Sequence, residues 1–251
     1  MKTLKKIMVG LAVLLLVALA GLEVYTRLPA GFAVPELGAP ADATALVILF
    51  HGSGGREEPT LKAVEQRFRQ LAAAEPGTAV IRFIWSPWAD NLLRAWKAGQ
   101  HVGAELGHQV ASLHGLRYIH LVGHSAGAYP MDAFCRAYRA AAKQPARIDM
   151  TFLDPIGIAG LFDASWGARN HGACADYAEV FINSDDPVRG TNEPLQQAWN
   201  IDVTQAASRQ DYRWGGHRWP VQYYLDQLSA ADLDPGAQGQ AGRPRGAIDR
   251  R

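Results

Sequence analysis

Six short apolar runs, separated by helical stretches, restrict this chain more than any other feature. They are Leu46 to Phe50, Ala79 to Ile84, Tyr118 to Val122, Ile148 to Leu153, Ala178 to Ile182 and, more weakly, Trp199 to Val203. Each has the length and β-branched content of a strand buried on both faces. Between them, Leu61, Val64, Phe68 and Leu71 recur at spacings of three and four. Leu92, Trp96, Gly99, Val102, Leu106, Val110 and Leu113 do the same over a longer segment. That is the period of a helix with one apolar face. The alternation predicts an α/β fold, a mostly parallel central sheet with helices on both faces, where ligands sit beyond the carboxyl ends of the strands. A chain of 251 residues, 48% of them apolar, can bury one such core. One domain over residues 45–231 is expected.

The flanking segments differ from this pattern. Lys2, Lys5 and Lys6 precede an uninterrupted apolar run from Ile7 to Leu22, so residues 1–24 read as a signal peptide or a signal-anchor transmembrane helix. Ala18 and Ala20 set an A-x-A pattern before Gly21 that permits cleavage, while sixteen apolar residues approach the shortest tilted span. Both readings stay open. If the helix is retained, its basic flank keeps the N-terminus in the cytoplasm and puts the domain outside; if it is cleaved, the domain is periplasmic or secreted. Residues 25–44 are rich in Pro, Ala and Gly and read as a linker. Residues 232–251, with Gln238-Gly239-Gln240 and Arg243-Pro244-Arg245, lack apolar periodicity and read as a disordered tail.

Charge excludes one class of partner: 25 Lys plus Arg against 24 Asp plus Glu give no global field for nucleic acid. Function must then reside in a site. Cys135 and Cys174 can pair in an exported chain, or stay as two buried thiols.

The site begins at Gly123-His124-Ser125-Ala126-Gly127, directly after the strand ending at Val122 and before a segment that can be helical through Ala142. This is G-x-S-x-G in a strand-turn-helix context, the nucleophile elbow of the α/β-hydrolase fold. The sharp turn crowds side chains at the two glycine positions, so that only the serine projects outward. Pro130, just past the first turn, removes one helical hydrogen bond. A serine nucleophile needs a base, a group that orients the base, and donors for the oxyanion. His51-Gly52-Ser53-Gly54-Gly55 follows the first strand and offers backbone N–H groups. With the N–H of Ala126, either Gly52 or Ser53 completes an oxyanion hole. No Lys-Ser or Lys-Thr follows these glycines, against a phosphate-binding loop. Chain order points to His217, in Trp214-Gly215-Gly216-His217-Arg218-Trp219, as the base. His101 and His108 fall in a helix, His120 in a strand, and His124 in the elbow itself. For the acid, Asp154 ends one strand and Asp185 and Asp186 end the next, so the residues alone leave the choice open. No metal or cofactor is expected. Trp85, Trp88 and Trp96 are candidates for an acyl pocket, against a plain core role.

Several segments in order resemble the catalytic domain of the pancreatic-lipase-like family of α/β-hydrolases over about residues 46–225. They are Ile84-Trp85-Ser86, the helix with Ala98, Gln100, Val102 and Gly103, Ile119 through Ala128, Leu153-Asp154-Pro155, Ala175 through Ile182, and His217-Arg218 with Tyr223-Tyr224. The resemblance implies Asp154 as the acid, with Asp186 as the alternative. The chain departs from the family in the short stretch between Asp186 and His217 and in its short tail, so that neither a long lid nor a second β-sandwich domain is expected. An esterase acting on soluble or short acyl chains is therefore expected over a triacylglycerol lipase. The expected partners are a small-molecule or lipid ester and, through a retained helix, the membrane. The rival readings are a membrane-tethered binding protein that keeps the fold without catalysis, and a serine hydrolase acting on an amide, thioester or polyester.

Overall fold

The computed structural model describes residues 2–238 and 242–251. A long helix, α1 (Lys2–Arg27), precedes an alternating series: β1 (Ala45–Phe50), α2 (Pro59–Ala72), β2 (Thr78–Phe83), α3 (Ala95–Ala111), β3 (Tyr118–His124), α4 (Ala128–Ala141) and β4 (Arg147–Leu153). Then come the short α5 (Trp166–Asn170), β5 (Tyr177–Ile182), β6 (Trp199–Asp202), α6 (Trp219–Gln227) and β7 (Ile248–Arg250). The strands form one sheet in the order β2-β1-β3-β4-β5-β6-β7. Every strand pair in it is parallel.

Alternation along each strand sends side chains to two cores. On one face Leu46, Ile48, Ile119, Leu121, Met150 and Phe152 pack with Val102 and Leu106 of α3 and Met131 and Phe134 of α4. On the other, Val47, Leu49, Val122, Leu153 and Phe181 pack with Leu61, Val64 and Phe68 of α2 and Trp219 and Tyr224 of α6. Each fully buried side chain of this kind contributes roughly 1.5–3 kcal/mol relative to exposure. With the sharp turn after β3 described below, this is the α/β-hydrolase fold.

The helix ends follow local chemistry. Pro59 opens α2, and the Glu58 carboxylate before it accepts from the N–H groups of Thr60 (3.0 Å) and Leu61 (2.5 Å). Pro130 costs α4 nothing, contrary to the sequence expectation. It is the third residue of the helix, where N–H groups lack an intrahelical partner in any case. The α3–α4 crossing is set by glycine: a Cβ at Gly103 would lie 2.0 Å from the Pro130 carbonyl oxygen, and one at Gly107 2.5 Å from that of Phe134. The two backbones touch, which fixes α4, and with it the turn that starts α4, against the sheet.

Two features here depart from the sequence reading, and a third settles a choice it left open. Leu92, read as the start of the long helix, lies with Leu93 in a turn before α3, and both are exposed. The stretch expected to be a disordered tail instead carries β7, paired with β6 from Asn200↔Ile248 to Asp202↔Arg250. Arg245 secures it by donating to the carbonyls of Gly172, Gln197 and Ala175 (3.0, 3.0 and 2.6 Å), and Arg243 lies 4.7 Å over the Trp199 ring. Gly239 and Gln240 of that stretch lie outside the described residues. Cys135 and Cys174, whose state the sequence left open, form a disulfide joining α4 to the turn before β5.

Candidate active site

Strand register brings the ends of β1, β3, β4 and β5 to one edge: Phe50 pairs with Gly123, His124 with Leu153, and Leu153 with Phe181. The residues just beyond these ends are the sequence-derived candidates. Ser125 follows β3 with φ 55°, and Asp154 follows β4 with φ 45°. Among the described residues they are the two non-glycine positions with positive φ. Such backbone costs of order 1–3 kcal/mol and persists where the surroundings impose it. Here the surroundings are visible. A Cβ at Gly123 would come within 2.4 Å of Met131 Sδ, and one at Gly127 within 2.2 Å of the Phe50 carbonyl oxygen. The elbow thus has no space for side chains on either side of Ser125. α4 begins three residues later, with its N-terminus at the turn.

The loop after β1 closes over this turn. A Cβ at Gly52 would lie 2.8 Å from Ser125 Cβ and 3.3 Å from its Oγ, so only glycine fits there. The buried His51 ring stiffens the loop: Nδ1 donates to the Gly52 carbonyl (2.7 Å) and Nε2 accepts from the Trp85 N–H (3.1 Å). Burial holds the His51 pKa below its ordinary value, which keeps the ring neutral for both roles. Trp85 Nε1 donates to the His51 carbonyl (2.7 Å), and Asp90 Oδ1 accepts from the Gly54 N–H (2.7 Å). Ser53 and Ala126 line the same cavity as Ser125. Among the described residues their N–H groups reach no protein acceptor. Gly52 is not part of that wall.

His217 lies in the loop between β6 and α6. Gly215, with φ 91° and ψ 150°, adopts backbone available essentially to glycine alone, and a Cβ on Gly216 would lie 2.7 Å from Asn183 Nδ2. Trp219 Nε1 donates to the Val203 carbonyl (2.8 Å), pinning the start of α6. The sequence missed one contributor, His124. Its buried Nε2–H donates to the His217 carbonyl (3.2 Å), and the two rings lie 4.9 Å apart. Burial, reinforced by the nearby His217, pushes the His124 pKa down to about 3, so this donor carries no charge. Its place next to Ser125 in the G-x-S-x-G motif was the available signal.

Two carboxylates meet one imidazole nitrogen. His217 Nδ1–H donates to Asp154 Oδ2 at 2.7 Å and to Asp186 Oδ2 at 3.0 Å. Asp154 is fully buried and otherwise accepts from the Asn183 N–H (3.1 Å). Asp186 also accepts from the Thr191 hydroxyl (3.0 Å) and the Val188 N–H (3.2 Å). Burial pushes Asp154 up to about 7, with the adjoining Asp186 carboxylate adding to the rise and the imidazole opposing it. Burial acts the same way on Asp186, but its bonds to Asp154 and Val188, the His217 charge and the Thr191 bond outweigh it and hold it low. For His217 burial alone would lower the pKa; the hydrogen bonds and charges of Asp154 and Asp186 outweigh it, and the net shift is upward. Asp185, also considered from sequence, does not join this cluster. Among the described residues these three side chains are also the one grouping with metal-ligand chemistry. Their N···O separations of 2.7 and 3.0 Å are those of direct hydrogen bonds.

Ser125 and His217 line one cavity of about 570 Å³, with no hydrogen bond between Oγ and the imidazole. Its other walls are largely apolar: Leu92, Leu93, Trp96, Tyr129, Ile156, Ile158, Leu161 and Val188. Of the three tryptophans considered from sequence, only Trp96 reaches it. Trp85 is buried behind the His51 loop, and Trp88 stacks on Phe32 with ring centroids 4.1 Å apart. The Ile156–Ile158 wall is held by Tyr129, whose hydroxyl donates to the Ile158 carbonyl (2.6 Å), and by His171 Nε2, which donates to the Ile156 carbonyl (3.1 Å). Asp132 on α4 fixes His171 through Nδ1 (2.8 Å).

No protein-family model matches the chain, and no curated protein sequence does. Among solved structures, a thermophilic esterase from the Planctomycetes species Thermogutta terrifontis aligns at 14% identity, covering 84% of this chain and 85% of that one, with a TM-score of 0.43. A thioesterase from the prodiginine biosynthetic pathway of Streptomyces coelicolor aligns at 16% identity, covering 82% and 93%, with a TM-score of 0.36. A cutinase-like protein from Cryptococcus sp. aligns at 16% identity, covering 47% of this chain, with a TM-score of 0.30. The chain spans 56% of the length of that cutinase-like protein.

Proposed function

We propose that this protein is a serine hydrolase that cleaves a carboxylic ester through an acyl-enzyme on Ser125, with His217 as base and Asp154 as the acid that orients it. The observation that carries the reading is the juxtaposition of Ser125 with His217 on one apolar cavity, the imidazole being gripped through Nδ1 by buried carboxylates. With Nδ1–H committed to them, Nε2 is the atom left to take a proton.

In the proposed reaction, His217 Nε2 accepts the Ser125 hydroxyl proton as Oγ attacks the substrate carbonyl carbon. The carbonyl π electrons move to oxygen, where the N–H groups of Ser53 and Ala126 meet the charge. Gly52 then serves by close approach rather than as a donor. Collapse expels the alcohol, which takes the proton from the imidazolium. Water repeats the sequence on the acyl-enzyme and releases the carboxylic acid. The imidazolium formed midway faces two carboxylates, and Asp186 shares with Asp154 the task of stabilising it.

The elbow, the Leu153-Asp154-Pro155 segment and the base loop also support the finer reading of a pancreatic-lipase-like catalytic domain. The stretch from Asp186 to His217 runs through β6 and two single-turn helices without a long lid. The test is Ser125→Ala: labelling by a fluorophosphonate and turnover of p-nitrophenyl esters should both disappear while thermal unfolding stays nearly unchanged. Undiminished turnover in that variant would refute the assignment.

A further inference from the structure

The last turn of α1 is built into the rim of the Ser125 cavity. Glu23 Oε2 accepts the Leu161 N–H (2.7 Å), and the Arg27 guanidinium lies 5.6 Å over the Trp96 ring. Arg94 reaches back to donate to the carbonyls of Tyr25 (2.6 Å) and Pro29 (3.0 Å), and Thr26 is buried. Leu161 and Trp96 both line the cavity, and Arg94 adjoins Ala95, which lines it as well. The remainder of α1 packs on nothing: its apolar side chains from Leu4 to Val17 are exposed, and the helix is long and apolar enough to cross a membrane.

Around the mouth stand four more large apolar side chains in solvent: Leu92 (72% exposed), Phe162 (66%), Leu93 (41%) and Val188 (38%). Scattered exposed leucines need no explanation, but Leu92, Leu93 and Val188 on the lining of one cavity, with Phe162 next to its Leu161, beside an apolar helix, do. Lengths connect the two. The apolar run Ile7 to Leu22 spans about 24 Å at 1.5 Å per residue, against about 30 Å of hydrocarbon in a bilayer. The shortfall is relieved if the lip joined to Glu23, one residue beyond Leu22, sinks its own apolar side chains into the boundary. Arg27, Arg94 and Lys97 then fall at headgroup depth, where each basic group near an anionic surface is favoured.

We infer that α1 is retained as a transmembrane anchor that seats the mouth of the Ser125 cavity on the outer face of the bilayer. The substrate is then a lipid ester already resident in that membrane, its acyl chain entering between Leu92–Leu93 and Leu161–Val188. The inference rests on the ester-hydrolase reading for the reaction and on α1 for the placement. The bilayer itself takes the part that a lid plays elsewhere, covering the apolar mouth while substrate is loaded.

The test uses the full chain reconstituted in vesicles of phosphatidylcholine and phosphatidylglycerol. Turnover of a long-chain fluorogenic ester dissolved in the vesicles is compared with that of water-soluble p-nitrophenyl acetate. Phe162→Lys, on the rim but outside the cavity wall, and Glu23→Ala, which frees the lip from the anchor, should each lower the ratio of the two turnovers at least about tenfold, with p-nitrophenyl acetate within about twofold of wild type. An unchanged ratio in both variants overturns the inference and leaves the ester-hydrolase reading intact. Loss of that reading has a separate signature, in that Ser125→Ala would still turn over both esters. A readout independent of turnover is a fluorophore on Phe162→Cys, expected to be quenched by a bilayer-embedded quencher and shielded from iodide. Iodide access equal to that of a free label, shielding that appears without lipid and grows with protein concentration, or a mature mass starting at Gly21 each overturn the inference.

Discussion

The doubled carboxylate behind His217 makes an unusual mutational pattern. In a site with one orienting acid, replacing that Asp by Asn costs about 10⁴ in kcat, because the imidazole is left in the wrong tautomer. Here Asp154→Asn leaves Asp186 Oδ2 at 3.0 Å from the same Nδ1, against 2.7 Å for Asp154. At an effective dielectric of about 20, a unit charge on the imidazolium gains about 6.1 kcal/mol from a carboxylate at the shorter distance and about 5.5 at the longer. These gross attractions are largely offset by the desolvation of the buried acids, so a single variant loses the net worth of one hydrogen bond to a charged group, about 2 kcal/mol or roughly thirtyfold in rate, while the remaining acid keeps the Nδ1–H and its tautomer. Each single variant, Asp154→Asn or Asp186→Asn, should therefore retain kcat within about thirtyfold of wild type. The double variant should fall by about 10⁴. The assay is kcat on a p-nitrophenyl ester at pH 8, with thermal unfolding of each variant as control. A loss near 10⁴ in Asp154→Asn alone, with Asp186→Asn silent, would refute the idea that the two acids substitute for each other.

Three further outcomes are expected. The His217 pKa is raised above 6.5, and only the neutral ring accepts a proton. The acid limb of kcat/KM should therefore lie above the ordinary histidine value, and Asp186→Asn should move it to lower pH; a limb that stays put would contradict the cluster. The stabilising imidazolium contact runs the other way, present at low pH and lost as pH rises through that same raised value. The Cys135–Cys174 bond closes a loop of 39 residues, for which chain entropy gives about 4 kcal/mol. Replacing both by Ala should lower stability by up to that amount in urea titrations, and a change under about 1 kcal/mol would show that the denatured chain gains little freedom. Gly103→Ala places a methyl group 2.0 Å from the Pro130 carbonyl oxygen. It should cost about 3 kcal/mol as α3 is pushed off α4, measured as a fall in Tm, whereas an unchanged Tm would mean that the crossing is looser than described.

What the sequence revealed depended on how local the cause was. The elbow was legible because Gly123, Ser125 and Gly127 do their steric work within five residues of each other. The strands were legible because burial on both faces leaves an unbroken apolar run. The choice of acid was not legible, because β4 and β5 are adjacent and in register, so Asp154 and Asp186 arrive at the same imidazole from different turns. β7 escaped notice because a three-residue edge strand, Ile248–Arg250, has no periodicity to read, and its attachment depends on Arg243 and Arg245 finding partners far back in the chain. Leu92 continued the helical spacing of α3 without belonging to it, because a turn that precedes a helix can keep its apolar period by chance. The role of His124 was hidden by its own motif, since a residue flanking the serine is read for the turn and not for what its ring holds. The spacing of Gly99, Gly103 and Gly107, four residues apart, was present in the sequence and signals two helices in backbone contact.

The backbone at Ser125 and Asp154 has a bearing on how this protein would respond to selection for heat resistance alone. Both residues sit in a left-handed conformation that L side chains adopt at a cost of roughly 1–2 kcal/mol. Glycine at either position would relieve that tension at once, and would abolish or cripple the proposed chemistry. A screen blind to turnover should therefore enrich inert, hardier variants at these two sites first, so thermostabilisation of this scaffold calls for a readout of catalysis in every round.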